Sequence, residues 1–293
     1  MYVVLGANGR AGGETAQALL ERGEAVRVVV RRPEQGEKWK SVGATVATAD
    51  IDVPGTIAEA LDGATAAFLL NPPPVSGDPN ARTAEIGAAL AEAMKLARVP
   101  KLVALSSIGA QHASGTGVIA TLHQFEKLLD GTTPATAFLR PGYFVESWAE
   151  VAGPVTSEGL LPTFLAPYQR IAMVSTKDVG RAAAALLCED WTGRRVVQLS
   201  GPQDWNAAEV ASAFAEALGR PVVPAFVPPE QRAAMLARDG IPEEVATALL
   251  GMYQGIAQGR FVSEATQEQR RGTVSLAVSV KRIVAQLQSA QAA

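Results

Sequence analysis

Short runs of β-branched and aliphatic residues alternate with longer segments of helical spacing through the first half of the chain. The strand pattern falls at Tyr2–Leu5, Ala25–Val30, Ala44–Thr48, Ala64–Leu70, Lys101–Ser106 and Pro134–Leu139. Helices are predicted at Arg10–Arg22, Val53–Leu61, Pro79–Ala97 and Val118–Leu129, closed by Gly23, Gly63, Pro100 and Gly131. Apolar strands separated by helices suit a sheet whose strands run parallel and whose two faces are both covered. The expected fold class is α/β: a doubly wound, Rossmann-type parallel sheet with a smaller α/β C-terminal lobe.

Beyond residue 150 the alternation loosens. An apolar loop is expected at Gly159–Tyr168, then a strand at Arg170–Val174 and a helix opening at Ser175-Thr-Lys-Asp178. Another strand is read at Val196–Leu199, followed by a strongly patterned helix over Asn206–Leu218, capped by Asn206 and closed by Gly219. Pro228–Phe261 reads as helix interrupted by Gly240, Pro242, Gly251, Gly255 and Gly259, and the glycines of 240–259 suit either a mobile lid or an irregular packed helix pair. The final helical face, within Ser275–Leu287, carries Val278, Ile283, Val284 and Leu287. The domain expectation is therefore a nucleotide-binding unit at 1–150, to which 170–200 returns, and a substrate lobe made of 151–169 and 201–293.

Composition narrows the function classes. Hydrophobic residues make up 48% of the 293 and charged residues 19%, enough apolar material for a large core, which excludes wholesale disorder. Lys and Arg number 26 against 29 Asp and Glu, so no electrostatic footprint for nucleic acid exists. No apolar run reaches the roughly 18 to 20 residues of a membrane span. The strand-like start, with no basic segment or cleavable apolar stretch, leads to the expectation of a cytoplasmic protein. The single cysteine, Cys188, follows the apolar run Ala182–Leu187 and reads as a small buried hydrophobe. With one cysteine and two histidines, no metal site of usual ligand spacing is expected.

Gly6-Ala-Asn8-Gly9-Arg10-Ala11-Gly12-Gly13 follows the first strand and opens the first helix, the context a dinucleotide fingerprint requires. Gly6 allows the tight turn, Gly9 lets backbone amides approach a pyrophosphate, and Gly12 lets the helix pack on the sheet. The helix N-terminus adds unsatisfied N–H groups and a positive partial charge. Where an NAD-binding strand would end in a carboxylate for the ribose, the second strand ends in Arg31-Arg32. Guanidinium groups there suit a 2′-phosphate, so NADP(H) is the expected cofactor. Later strand ends complete the cleft with Asp50 and Ile51, then Leu70, Asn71 and Pro72, then Ser106 and Ser107. Past the sixth strand, Tyr143, Phe144 and Trp148 are candidates to stack on a flat acceptor, the alternative being lobe packing. Few charges line these segments, pointing to a small planar or apolar substrate.

Taken in order, these motifs resemble the NmrA-like group of atypical short-chain dehydrogenase/reductases. The resemblance rests on Gly6–Gly12, Arg31, Phe68-Leu-Leu-Asn-Pro72, Leu105-Ser-Ser-Ile-Gly109, Leu139-Arg-Pro-Gly-Tyr-Phe144, Ser175-Thr-Lys-Asp-Val-Gly180, Leu199-Ser-Gly-Pro202 and Gly251-Met-Tyr253. It implies an NADP-binding domain with a small C-terminal lobe. It also implies one of two functions: NADPH-dependent hydride transfer to a quinone, azo compound or dye, or non-catalytic sensing of the cofactor's redox state through a protein partner. An epimerase or dehydratase is the third alternative.

One departure matters. The Tyr-x-x-x-Lys pair of most short-chain dehydrogenases would fall on Val118 and Leu122, counting back from Glu126, a glutamate that the resemblance places on that helix. Neither carries a proton to give, so alcohol–ketone interconversion by that dyad is disfavoured. His123, one residue past the lysine position, is the candidate catalytic and substrate-contacting group, with a half-buried helix histidine as the alternative. His112, in the loop beyond the fifth strand, reads as solvated.

Overall fold

A computed structural model of the chain describes residues 1–53 and 55–292. Eight parallel strands form the main sheet: β1 (Tyr2–Leu5), β2 (Val26–Val30), β3 (Thr45–Thr48), β4 (Ala66–Leu70), β5 (Lys101–Leu105), β6 (Ala135–Pro141), β10 (Gly193–Ser200) and β13 (Glu268–Arg271). Their spatial order is β13-β10-β6-β5-β4-β1-β2-β3, which reverses direction between β1 and β4, the point outside whose carboxyl ends open α/β sheets bind ligands. The six predicted strands of the first half are all present, with ends moved by one or two residues.

Alternation along the strands sorts two core layers. Val4, Val28, Phe68, Val103 and Leu139 face one way, against α1 (Arg10–Glu21) and α7 (Thr176–Cys188). Their neighbours Val3, Leu5, Val29, Leu69, Leu102 and Phe138 face the other way, against α3 (Thr56–Leu61), α4 (Pro79–Leu96) and α5 (Ala120–Leu129). Each such fully buried aliphatic or aromatic side chain contributes roughly 1.5–3 kcal/mol. Helices α1 and α7 touch backbone to backbone, because a Cβ at Gly180 would fall inside the van der Waals contact of the Glu14 carbonyl. A short helix not foreseen in the sequence, α2 (Glu37–Lys40), buries Trp39 beside β3. The helix predicted from Val53 begins at Thr56, and its Pro54 lies outside the described residues. Cys188, expected indoors, is half-buried at the end of α7.

The smaller lobe has its own core around Trp148, Val155, Leu161, Phe214, Val280 and Ile283. It contains α6 (Ala152–Glu158), α8 (Ala207–Leu218), α9 (Pro229–Arg238), α10 (Glu243–Ala257) and α11 (Leu276–Ala292). The cap predicted at Asn206 is present and is part of a capping box, with Asn206 and Glu209 exchanging hydrogen bonds of 2.9 Å. Part of the expected apolar loop is a strand, β8 (Leu160–Thr163), paired with β12 (Val223–Phe226). Three further segments, β7 (Tyr143–Phe144), β9 (Ile171–Val174) and β11 (Asp204–Trp205), make a small sheet over the ends of β6 and β10.

The chain passes between the two bodies repeatedly: from β6 into β7, from β9 into α7, from β10 into β11, and through β13 before α11. Thus 193–200 lies in the main sheet, while 268–271, expected in the lobe, pairs with β10 in that same sheet.

Candidate functional site

The glycine-rich turn after β1 is shaped by close backbone approach. Gly6 adopts φ of +69°, and its amide neighbour Gly9 donates to the Gly6 carbonyl at 2.9 Å. A Cβ at Gly12 would collide with the Gly6 carbonyl and lie 2.9 Å from the Leu5 oxygen, so only glycine lets α1 start this close to the strand. Gly9 itself is exposed, and a Cβ there would meet only the Gly6 oxygen, at 3.3 Å. Helix α1 has no side-chain N-cap, so its first amides face the crevice without a protein side chain to accept from them. This is a cradle suited to a pyrophosphate.

Two candidate side chains in this turn do structural work. Asn8 accepts from Trp39 Nε1 at 3.0 Å and donates to the Gln35 carbonyl at 3.0 Å, tying the glycine turn to the segment after β2. These two bonds hold the exposed Asn8 side chain in place and leave it one further N–H and one further lone pair. Arg10 pairs with Glu150 at 2.8 Å and reaches Ser147 at 3.3 Å, bridging α1 to the lobe. Arg32 is exposed and pairs with Glu34 at 3.1 Å. Arg31 is exposed too, and among the described residues no side chain or carbonyl holds its guanidinium. Lone Trp39 among the charges of 37–40 was the one sequence signal of the Asn8 contact.

At the other strand ends the candidates separate into free and occupied groups. Asp50 is exposed and accepts from the Asp52 amide at 3.0 Å, while Ile51 packs against the core. Leu70 leans on Gly6, and Pro72 is exposed. Asn71 donates to Thr83 at 2.8 Å, but its carbonyl oxygen is buried with no partner. That orphan acceptor, at the end of β4, calls for a donor such as a ribose hydroxyl. Ser107 donates to the Ile108 carbonyl at 2.9 Å.

Ser106 corrects the sequence expectation. Its hydroxyl is buried and donates to Glu126 at 2.6 Å, so it is not offered to a ligand. Glu126 takes both Arg140 Nε and Nη2 at 2.7 Å, and Arg140 Nη1 reaches Glu264 at 2.6 Å. Burial works against the charge of Arg140, yet the Glu126 and Glu264 carboxylates more than offset it and its pKa is raised. Glu264 is joined through its amide to buried Gln198 at 2.8 Å. Sequence spacing carried no sign of this cluster, whose members come from five separate segments.

The aromatic candidates also separate. Trp148 is 3% exposed within the lobe core, so it does not line an open pocket; its ring packs against Tyr143 with centroids 6.0 Å apart. Phe144 is half-buried beside β9. The Tyr143 hydroxyl stands 3.4 Å from that of Tyr253 on α10, and the Tyr253 ring meets Phe164 edge-on at 5.1 Å. Burial, reinforced by the neighbouring phenol, pushes the Tyr143 pKa well above its ordinary value, and burial raises that of Tyr253. Helix α10 is continuous through Gly251 and Gly255, where the sequence suggested breaks. These glycines let it lie on the backbone of the 115–117 turn, since a Cβ at Gly251 would be 2.9 Å from Gly117 Cα and one at Gly255 2.7 Å from the Gly115 oxygen. In this structure residues 229–257 form the helix pair α9 and α10.

His123 lies half-buried on α5, with Nδ1 2.9 Å from the Ala110 carbonyl. His112 Nε2 is 3.2 Å from the Arg260 carbonyl and helps strap the loop after β5 to 260–262. Among the described residues, no group of three or more His, Cys, Asp and Glu side chains is placed to hold a metal. No helix among them is long and apolar enough to cross a membrane.

Known proteins are similar to this chain over most or nearly all of its length. An NAD(P)H azoreductase of Xenophilus azovorans is 26% identical over 255 residues, 86% of each chain. Quinone oxidoreductase 2 of Escherichia coli (strain K12) is 24% identical over 288 residues, 97% of this chain and 98% of that one. The fold is also that of the Escherichia coli NADPH-dependent quinone oxidoreductase solved with NADPH, with a TM-score of 0.80 at 23% identity, covering 97% and 100% of the two chains. The Citrobacter triphenylmethane reductase solved with NADP(H) aligns at 0.79 and 22%, over 97% and 100%. The model of the NmrA-like family matches residues 2–271, so the chain with this glycine turn, orphan Asn71 oxygen and tyrosine pair belongs to the NmrA-like family.

Proposed function

We propose that this protein is an NADP(H)-dependent oxidoreductase that reduces a small planar acceptor of the quinone, azo or dye class. The observation that carries the reading is the pairing of an uncapped glycine cradle at α1 with an exposed, unengaged Arg31 where an NAD-specific strand would place a carboxylate. When bound, the cofactor supplies the hydride. The α1 amides at Arg10, Ala11 and Gly12 would hold its pyrophosphate, with Gly9 leaving room for its approach, Arg31 with Arg32 would hold the 2′-phosphate, and the Asn71 oxygen would accept from a ribose hydroxyl. Asp50, Ile51, Leu70, Pro72 and Ser107 border the same cleft. The crevice between the main sheet and the lobe takes the acceptor, with Tyr143 and Phe144 at the end of β6.

The relatives' activities support this reading: an NAD(P)H azoreductase and a quinone oxidoreductase match over most of their lengths. The absence of Tyr-x-x-x-Lys fits acceptors that are already electrophilic. The test is NADPH oxidation, followed by loss of nicotinamide absorbance, against benzoquinones, naphthoquinones, azo dyes and triphenylmethane dyes, with NADH in parallel. Turnover with one of these classes above the uncatalysed rate is expected. NADPH binding without turnover of any of them would overturn the reductase reading and favour a redox sensor.

A further inference from the structure

The sequence lacks the phenol that most short-chain dehydrogenases present from the helix after the fifth strand, but the fold supplies phenols from elsewhere. Tyr143 follows β6 directly; Gly142 is pinned by its amide to the Leu199 carbonyl at 2.9 Å, and Tyr143 itself pairs with Met173 of β9. Tyr253 comes from α10, held in place by the glycine contacts with the 115–117 turn. That turn runs into Val118, the position where the usual tyrosine would stand. Helix α10 therefore brings a tyrosine to the neighbourhood of the site that lost one.

Two phenols that bond to each other leave one hydroxyl hydrogen over. Among the described residues the Tyr143 and Tyr253 hydroxyls have no hydrogen-bond partner besides one another. Whichever oxygen donates across the 3.4 Å gap, the other O–H has no acceptor in the protein. The surrounding charges orient the pair. Arg10 of the glycine turn and Glu150 act on Tyr143, whereas Glu150 and Arg232 of α9 act on Tyr253. Tyr143 directly follows β6 of the main sheet, whereas Tyr253 is carried by α10 of the lobe.

We propose that the Tyr143 hydroxyl is the hydrogen-bond donor to the acceptor's oxygen during quinone reduction, with Tyr253 as the positioning residue that donates to Tyr143 from behind. The proposal rests on the reductase reading above. As the quinone takes up a hydride from the reduced cofactor, which leaves oxidised, negative charge gathers on one quinone oxygen. The Tyr143 O–H bonds to that oxygen and its proton passes across; Tyr143 recovers a proton from Tyr253, and partly buried Tyr253 recovers one from solvent. The net change is quinone, NADPH and one proton going to hydroquinone and NADP+. Burial keeps both phenols protonated, which suits groups that must donate.

A cationic triphenylmethane dye provides an internal control. It takes a hydride at carbon and becomes neutral, with no oxyanion and no proton required. Turnover of a naphthoquinone and of such a dye should be compared in the wild type, Tyr143→Phe and Tyr253→Phe, with NADPH affinity and melting temperature as checks on folding. Loss of one oxyanion donor costs on the order of a hundredfold in kcat at well-ordered sites. Tyr143→Phe is expected to lower the quinone-to-dye turnover ratio at least about tenfold, and Tyr253→Phe to lower it less and shrink the solvent deuterium isotope effect on quinone turnover. An equal fall with both acceptors, or an unchanged ratio, overturns the proposal.

A binding arm reads the same contact without turnover. Calorimetry on NADP+-loaded protein should show Tyr143→Phe losing roughly fivefold or more in affinity for 1,4-naphthoquinone, about the worth of one hydrogen bond, and none for naphthalene. Equal affinity of wild type and variant for the quinone, or no quinone binding by the wild type, overturns the proposal. Should the wild type reduce neither acceptor, the reductase reading fails, and this arm alone decides whether Tyr143 recognises a carbonyl oxygen.

Discussion

On the proposed function, the single side chain of Arg31 would set the balance between two cofactors that differ by one phosphate. Nothing in the described protein competes for its guanidinium, so its interaction with a 2′-phosphate would be charge-assisted and bidentate. Replacing it by aspartate should weaken NADPH binding by more than tenfold while leaving NADH binding nearly unchanged, measured by quenching of intrinsic fluorescence; equal losses for both would remove Arg31 from the 2′-phosphate. Gly12 acts through shape instead of charge. A methyl group there would overlap the Gly6 carbonyl, so Gly12→Ala must push α1 off the strand. Overpacking of this kind costs about 1–3 kcal/mol, and the variant should melt lower and lose NADPH affinity together. A normal melting temperature with normal binding would show that the turn can yield.

At the scale of elements, β13 is the least secure member of the main sheet. Its residues alternate half-buried and exposed, and it is clamped to β10 by a quartet in which Arg195 and Arg270 each reach both Glu189 and Glu268, at 2.6 to 3.2 Å. The Arg270 and Arg195 guanidiniums hold the Glu189 carboxyl below its usual range, and for Glu268 the same two cations outweigh the opposing effect of burial. Carboxyls depressed in the folded state stabilise it above their unfolded pKa of roughly 4.3, and that contribution is lost as pH falls through the lower folded values. Amide exchange in Glu268–Arg271 should therefore quicken, relative to β5, as pH drops from 6 towards 3. In a Glu189→Gln, Glu268→Gln double variant this extra pH dependence should vanish.

The same strand shows where sequence reading stops. β1 to β6 were legible because each is a local apolar run with its own helix and terminator. Glu268-Gln-Arg-Arg271 carries no such signal, since an edge strand is stabilised by its neighbour and by ion pairs formed across 70 and more residues of chain. In the site, the glycine turn and Arg31 were legible for the same local reason. Ser106 looked like a ligand group until Glu126 was found beneath it, and Tyr253 acquired meaning only when α10 was seen to cross the 115–117 turn. Gly251 and Gly255 look like helix breakers in one dimension and act as contact surfaces in three.

For the whole molecule, cofactor binding and stability are one measurement. A ligand that binds only the folded state at a hundred times its Kd adds about 2.7 kcal/mol. In a chain of this size that raises the melting temperature by roughly 5–10 °C. NADPH should give such a shift and NADH at equal concentration a clearly smaller one; equal shifts would argue against a 2′-phosphate subsite. The lobe should melt with the sheet in one transition, since Arg282 reaches Glu14 of α1 at 2.6 Å and Arg10 reaches Glu150.

The repeated passage of the backbone between the two bodies limits how the crevice can open. A lobe joined by one linker can swing on it, but here β7, β11, β13 and α11 each begin where the chain has just left the other body. Rotation about any one of these connections is resisted by the rest, so no hinge axis is free. On the proposed function, an acceptor would then have to be admitted by local side-chain movement instead of the swing of one body on the other.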